Sequence, residues 1–595
     1  MDFQSVVVLI VILFIIFALI KNLAGSGLVF TIAILVLGVF GILTPSEMIS
    51  GFSNEQIAVI VMLLIVGDIM KKSNFIEMLF FKAFQGAKTY RSFMGRMALM
   101  TAGLSAFLNN TPLVAVMMPF VHMWSKKNGV APSKLLIPLS YAAILGGCVT
   151  LIGTSTNLIV NGLVADQHII PGLKTLNIFD FTPVGLPMAV IGMVYLLLFA
   201  KKLLPNNKDF FEKMDANNRE YFAEIRVANN ATINGKTVEE AGLRNLKGLF
   251  LVELHRNGHV FSPVTPQTKV YSQDILLFAG NTETISEMMD VQKDLQLAQA
   301  GMYTKMKHTE MIEVVVSYNS VMASKTPKEF NFRGKYDAAI IAIHRNGEKI
   351  SGKIGDVKLQ PGDVLMLIAG DDFNKRAQDN RDFYVISKIK EFNNISWWKS
   401  FLFVGGLFTA IITSALGLIP LFTALLLLIV FLNVAGLSSP KEIAKGIDFN
   451  LVFVIALSLA LGTAMVKTGI AHTFANASFQ FLEPLGIVGL FAGIFLFTNL
   501  LASVVTNKAA VALVFPIVLT MAIELNLNPK PFILLIAFAG AASFVTPIGY
   551  QTNLMVYGPG GYNFKDFIKI GAPLTMLYMI ATVLILILQF DLSIY

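Results

Sequence analysis

Leu151-Ile152-Gly153-Thr154-Ser155-Thr156-Asn157-Leu158 closes one apolar run, and Pro547-Ile548-Gly549-Tyr550-Gln551-Thr552-Asn553-Leu554 closes another, 396 positions later. Each has a second repeated word upstream. Asn109-Asn110-Thr111 leads to Met118-Pro119, and Thr506-Asn507-Lys508 leads to Phe515-Pro516, an offset of 397. Further upstream, Pro45-Ser46-Glu47 matches Pro440-Lys441-Glu442. Three blocks at nearly one offset mean that the membrane part is built twice. Small, polar, helix-breaking residues at matching places inside apolar runs are the sequence mark of a midplane binding site in a transporter.

The chain has 595 residues, 55% hydrophobic and 14% charged. That balance excludes an ordinary soluble enzyme and points to a polytopic membrane protein. Most charges fall between Asn206 and Asn394, so the chain reads as membrane, soluble, membrane. The net charge of +8 comes without a basic-aromatic patch of the kind that binds nucleic acid. The single cysteine, Cys148, excludes an internal disulfide and a cysteine-based metal site, and reads as packing. Residues 3–20 lack a basic leader and a small-residue cleavage site, so they read as a first spanning helix rather than a signal peptide.

About 20 apolar residues cross a bilayer as a helix. On that rule the first copy spans at 3–20, 25–43, 55–71, 134–163 and 182–203, and the second at 398–416, 420–437, 449–467, 530–557 and 567–590. Residues 93–127 and 486–526 are apolar but interrupted centrally by the Asn-Asn-Thr-Pro and Thr-Asn-Lys words, and are expected to be re-entrant hairpins. Residues 74–87 and 470–482 read as interfacial helices. Lys71, Lys72, Lys126, Lys127, Lys201, Lys202, Lys565 and Lys569 then fall on one side, against Lys174, Lys467 and Lys530 on the other. The positive-inside rule places both termini outside and the soluble insert in the cytoplasm. An ordinary re-spanning helix in place of each hairpin would spoil this bias. Five spans is an odd number, so the second copy runs inverted.

The expected domains are a first membrane repeat over 1–203, two small α+β modules over 204–300 and 301–394, and a second membrane repeat over 395–595. The modules are themselves a repeat. Leu254-His255-Arg256-Asn257-Gly258 matches Ile343-His344-Arg345-Asn346-Gly347, and Asp274-Ile275-Leu276 matches Asp363-Val364-Leu365. Asn-Gly between apolar strands suits a type I′ hairpin. The His-Arg-Asn-Gly turns read equally as plain turns or as contacts to an anionic ligand.

The chemistry sits where helices break. Backbone left unpaired in a bilayer needs partners. Half-helix N-termini offer N–H groups and partial positive charge to an anion, while unwound carbonyls offer oxygens to a cation. Asn and Thr add neutral donors and oxygens, and glycine lets backbone approach closely. The candidates are therefore the tips Asn109-Asn110-Thr111 and Thr506-Asn507-Lys508, and the breaks at Gly146-Gly147, Gly153 to Asn157, Thr546 to Gly549 and Gln551 to Asn553. Small residues at helix contacts explain any one of these, but not four clusters paired across an inverted repeat.

The words NNTPLVAVMMP (109–119), TLIGTSTNLIV (150–160), TNKAAVALVFP (506–516) and TPIGYQTNLMVYGPGGY (546–562) resemble the divalent anion–sodium symporter family. They are closest to its sulfate-permease branch, which carries RCK C-terminal modules between its halves. The resemblance implies a cation-coupled carrier of a small divalent anion, with sulfate expected, sodium as coupling ion, an elevator-like mechanism in the cell membrane and a homodimer. It also implies a small regulatory ligand on the modules. By matching position it implies sodium ligands among Asn110, Gly153 and Asn157 in the first copy and Asn507, Gly549 and Asn553 in the second. The anion would contact Asn109, Asn110, Thr111, Ser155, Thr156 and Asn157 with Thr506, Asn507, Lys508, Thr552 and Asn553. The tips depart from the family's Ser-Asn-Thr. Asn109 and Thr506 replace the serine, and Lys508 replaces the last residue of the second tip. A lysine at membrane depth is costly. Lys508 reads as a stand-in for one sodium, as a partner of the anion, as a proton carrier, or as a side chain snorkelling to water.

Other residues point less sharply. Asp68 is an intramembrane carboxylate, suited to a gate or to an ion pair. His122, His168 and His472 lack metal-ligand spacing, and Trp397-Trp398 suits an interfacial belt. No Walker or hydrolase motif is present, so neither ATP-driven transport nor enzyme catalysis is expected. A dicarboxylate carrier of the same fold is the nearest alternative. A module-gated ion channel would need a filter word such as TVGYG, which the chain lacks. A sensor that binds anion without moving it is the third reading.

Overall fold

The computed structural model describes residues 2–21, 23–71, 75–84, 86–167, 169–207, 222–243, 249–257, 259–261, 264–265, 267–280, 294–297, 310–318, 320–345, 348–350, 354–370, 372–377, 380–386, 397–436 and 449–592. The first membrane part contains α1 (Phe3–Ile20), α2 (Ser26–Val39), α3 (Pro45–Ile49), α4 (Glu55–Lys71), α5 (Phe75–Phe84), α6 (Tyr90–Ser105), α7 (Asn110–Asn128), α8 (Leu136–Gly147), α9 (Ser155–Asp166) and α10 (Thr182–Leu203). Their outer faces carry apolar residues such as Ile10, Leu13, Phe17, Leu35, Leu186 and Leu198, all exposed. A surface of that kind suits lipid, not water. In contrast, every residue of α8 is buried.

After the insert come α13 (Trp397–Ala415), α14 (Leu421–Val434), α15 (Phe449–Lys467), α16 (Ile470–Leu482), α17 (Gly486–Val504), α18 (Asn507–Glu524), α19 (Pro529–Ala541), α20 (Gln551–Tyr557) and α21 (Phe564–Gln589). Among the described residues, α1, α10, α17, α18 and α21 are each long and apolar enough to cross a membrane, and bent pairs bring the number to eight. The chain is thus a polytopic helical membrane protein. At about 1.5 Å per residue, α17 and α18 each reach roughly 27 Å. Their length therefore admits a full crossing as well as a re-entrant hairpin.

The two parts interlock. The broken helices are α8 with α9 and α19 with α20, interrupted over 148–154 and 542–550. The short helix after each break packs on the other part: α9 against α18 and α19, and α20 against α7 and α8. The same exchange relates α2 with α15 and α4 with α14. Pro119 and Pro516 lie inside α7 and α18 at matching turns, where a missing N–H loosens both helices alike. Cys148 is buried at the end of α8.

The insert folds into two five-stranded sheets. The first contains β1 (Phe222–Val227), β2 (Leu249–Arg256), β3 (His259–Phe261), β4 (Ile275–Gly280) and β5 (Leu295–Leu297), in the order β3-β2-β4-β1-β5. The second contains β6 (Glu310–Val316), β7 (Ala338–Arg345), β8 (Glu348–Lys349), β9 (Val364–Ala369) and β10 (Phe383–Val385), with α11 (Phe332–Tyr336) and α12 (Phe373–Ala377). Its order, β10-β6-β9-β7-β8, is the same arrangement. Even the register shift recurs, between Leu251 and Glu253 in one sheet and Ile340 and Ala342 in the other.

The repeated words of the insert have a structural reading. Arg256 Nε and Nη2 donate to Asp274 Oδ1 and Oδ2 at 2.8 and 2.6 Å, and Arg345 donates to Asp363 at 2.8 Å twice. Both aspartates are 1% exposed. Each arginine clamps a β-hairpin to the next strand through a two-pronged, charge-assisted bond. The two side chains are therefore engaged within their own sheets. Asn257, with φ of 48°, takes the left-handed conformation that a type I′ turn requires.

The second sheet touches the membrane part. Gly362, with φ of 87°, faces Leu554, and a Cβ on Gly558 would lie 2.5 Å from the Gly362 carbonyl. Ahead of the insert, Asn207 Nδ2 donates to the Gly561 carbonyl at 2.6 Å.

Candidate functional site

Four helix starts carry the predicted residues. Asn109 caps α7, its side chain accepting from the Thr111 N–H at 3.3 Å. Thr506 caps α18, accepting from the Ala509 N–H at 3.2 Å. Thr154 and Tyr550 hold the caps of α9 and α20, and neither side chain caps its own helix. Their hydroxyls instead meet each other at 2.9 Å. The first-turn N–H groups of α9 thus keep no side-chain acceptor, the condition in which a helix start receives an anion.

Tyr550 joins the two parts. Its hydroxyl also lies 2.8 Å from the Asn110 amide. Beside it, the Thr111 hydroxyl donates to Gln551 Oε1 at 3.0 Å. The Ser140 hydroxyl lies 2.8 Å from Thr552 Oγ1 and 2.7 Å from Asn553 Oδ1. Asn110, Thr111, Thr552 and Asn553 are therefore tied across the two parts. Thr156 and Asn507 both lie beside Gly540, where a Cβ would come 3.4 Å from the Thr156 methyl and 3.7 Å from the Asn507 carbonyl. Asn109 and Ser155 are placed differently. They line a cavity with Gly153, Leu63, Phe107 and Leu407, between the first tip and α4. Lys508 lies partly buried in the first turn of α18.

Sequence reading missed Tyr550 and Ser140 as members of the site and named Gln551 only as the start of the break at 551–553. Tyr550 and Gln551 lay inside a repeated word but match Thr154 and Ser155. Ser140 matches Ile536, so comparing copies directed attention away from it.

The surroundings of Gly153 suit a cation. A Cβ there would lie 2.6 Å from the Gly147 carbonyl, 2.8 Å from that of Ser105 and 2.9 Å from that of Ala106, so three backbone oxygens converge where only glycine fits. Asn157, fully buried, donates through Nδ2 to the Thr150 carbonyl at 2.9 Å, and its Oδ1 has no partner. A buried acceptor left unpaired costs about 1–3 kcal/mol. The Asn110 amide has two orientations. With its nitrogen inward it donates to the Gly153 and Ala143 carbonyls at 3.3 Å each, and its oxygen accepts from Tyr550. With its oxygen inward it accepts from the Ser105 hydroxyl and adds an oxygen beside those carbonyls. Neutral oxygens without His, Cys or carboxylate suit an alkali ion, and among the described residues no group of three such metal ligands occurs.

His472 pairs with Glu524 and bonds Asn476 at 3.1 Å. Asp68 falls on α4, but its side chain and those of Trp397 and Trp398 lie outside the described residues, as does His168.

The comparisons with known proteins agree on the kind of molecule. The profile described as "Citrate transporter" matches residues 10–495 and 408–594. The chain is 33% identical to the putative sulfur deprivation response regulator of Chlamydomonas reinhardtii, over 93% of this chain and 96% of that protein. It is 32% identical to the uncharacterized transporter sll0640 of Synechocystis sp., over 96% of each. It is 23% identical to sodium/sulfate cotransporter 1 of Chlamydomonas reinhardtii, over 95% of this chain and 87% of that one. These matches agree with the resemblance to divalent anion–sodium symporters of the sulfate-permease branch. With broken helices, interlocked halves and matches along nearly its whole length, this chain belongs to the citrate transporter family, whose members are transporters and not enzymes.

Proposed function

We propose that this protein is a secondary-active transporter that carries a small divalent anion, sulfate first, together with sodium. The observation that carries the reading is the hydroxyl and amide cluster of Asn110, Thr154 and Tyr550 at the starts of α7 and α9, with α18 packed against α9. Each of these three helices carries about half a positive charge at its start. With the ammonium of Lys508 they total roughly two and a half charges, which matches a dianion. Thr111, Gln551, Ser140 and Thr552 add neutral donors that suit the oxygens of sulfate. The name of the cotransporter relative supports sulfate, whereas the family description supports a carboxylate, so a dicarboxylate or citrate carrier is the second reading.

Sodium belongs at the carbonyls around Gly153 with Asn110 and Asn157. Bound there, it supplies the positive partner that the unpaired oxygens need and couples anion entry to its own gradient. In this reading the two membrane parts are inverted repeats of five spans with re-entrant hairpins at 93–127 and 486–526. Both termini lie outside the cell membrane and the insert lies in the cytoplasm. The tips and broken helices move together as an elevator within a homodimer. The sheets of the insert are RCK C-terminal-like modules that receive a small regulatory ligand. Uptake of radiolabelled sulfate into proteoliposomes, with succinate and citrate as competitors, tests the substrate. Uptake inhibited by citrate or succinate but not by unlabelled sulfate would favour the second reading.

A further inference from the structure

The two copies treat equivalent oxygens differently, and the difference concerns how many cations the protein binds. Asn157 and Asn553 hold the same place in the repeated word. Each donates through Nδ2 to the carbonyl of an equivalent threonine, Thr150 at 2.9 Å and Thr546 at 3.2 Å. Their acceptor atoms diverge. Asn157 Oδ1 is buried without a partner, whereas Asn553 Oδ1 accepts from the Ser140 hydroxyl at 2.7 Å.

The hairpin asparagines both accept from a serine hydroxyl, Asn110 Oδ1 from Ser105 and Asn507 Oδ1 from Ser543, the latter at 2.9 Å. They differ in the facing residue, which is Gly147 in the first copy, where a Cβ would come within 2.8 Å of Asn110 Oδ1, and Ser543 in the second. The equivalent glycines differ as well. Three backbone carbonyls crowd Gly153, while the nearest atoms to Gly549 are side-chain atoms of Thr546 and Ser543. The Thr546 hydroxyl also accepts from the Gly549 N–H at 3.0 Å. The tip residue Thr111 is matched by Lys508, which brings a fixed positive charge into the first turn of α18.

A cation needs oxygens whose lone pairs point inward and are not already receiving hydrogens. In the first copy Asn157 Oδ1 is such an oxygen and the Gly147 and Ser105 carbonyls converge at Gly153, while the Ala106 carbonyl and Asn110 Oδ1 already accept from the Thr150 and Ser105 hydroxyls. In the second, hydroxyl donors occupy the acceptors, and a lysine adds repulsion. We infer that the chain binds one sodium ion, at the first copy, and that Ser543 and Ser140 close the equivalent place in the second copy with hydroxyl donors. The inference rests on the sodium-coupled reading above and refines it to a single coupling ion.

Equilibrium binding of ²²Na to the purified full-length protein counts sites without reference to the anion. One ion per chain is expected, lost in Asn157→Ala and retained in Asn553→Ala. The triple variant Ser543→Gly, Ser140→Ala and Lys508→Thr removes both closing hydroxyls and the lysine and is expected to raise the count to two. Two ions in the unaltered protein would overturn the inference while leaving sodium-coupled transport intact. A count that stays at one in a folded triple variant would overturn the role given to Ser543, Ser140 and Lys508. No bound sodium would overturn the inference together with sodium coupling, and proton-driven sulfate uptake would then show that anion transport itself survives.

Discussion

The hydroxyls of Thr154 and Tyr550 lie 2.9 Å apart, although the residues are 396 positions apart in the chain. They hold the same place in the two repeated words, so the contact falls where the copies face each other. A threonine in one copy and a tyrosine in the other make the pair unequal in reach. The longer side chain also spans to Asn110, which places one residue in contact with the starts of both α7 and α9.

Tyr550→Phe removes that link without changing the ring. Two hydrogen bonds at a net value near 1 kcal/mol each predict roughly a thirtyfold loss of anion affinity. Sulfate uptake as a function of concentration reads it as a raised KM. Thermal stability should change little, since the ring stays packed.

Ser140→Ala leaves Asn553 Oδ1 buried without its donor and the Thr552 hydroxyl without its acceptor. An unpaired buried acceptor costs about 1–3 kcal/mol. The purified protein should melt several degrees lower and transport more slowly, and a scanning-fluorescence melt checks the first effect.

Gly558→Ala tests the contact between the insert and the membrane part. The added methyl would sit 2.5 Å from the Gly362 carbonyl and 2.9 Å from Val364. Overpacking of this kind costs about 1–3 kcal/mol and should push the turn at 360–363 away from α20. Faster proteolytic cleavage near that turn in the variant is the expected result.

Asp382 predicts a pH effect in the second sheet. Burial works to raise its carboxyl, but the bonds from the Tyr336 hydroxyl, Lys335 and the Val321 N–H outweigh it and hold the group below the ordinary value. A lowered carboxyl stabilises the fold above its unfolded value, near 3.9, and the contribution disappears as pH falls through the lower folded value. Amide exchange in β6 and β10 should therefore accelerate only in acid. Asp382→Asn should lose about 2 kcal/mol at neutral pH and lack that acid step.

The helix ends were legible because chemistry marks them. Asn109 and Thr506 are N-cap residues, and the structure starts α7 and α18 directly after them. The Gly-Thr-Ser-Thr-Asn word likewise ends in α9, and the amphipathic segment 470–482 coincides with α16. Partners across the copies were not legible. Ser140 finds Asn553 and Tyr550 finds Asn110 only after α20 has packed on α7 and α8, a consequence of tertiary interlock that no local pattern records. The arginine turns of the insert show a third case. Sequence repeated Arg256 with Asp274 and Arg345 with Asp363 at one spacing, yet nothing in either word stated that the two halves pair.

The most direct measurement is accumulation of radiolabelled sulfate by proteoliposomes containing only this protein, with an inward sodium gradient, a proton gradient or neither. Sodium-stimulated accumulation above equilibrium, reduced in Tyr550→Phe and rising with sodium as a single site, is the predicted result. Absence of sulfate uptake under every gradient would contradict the proposed function.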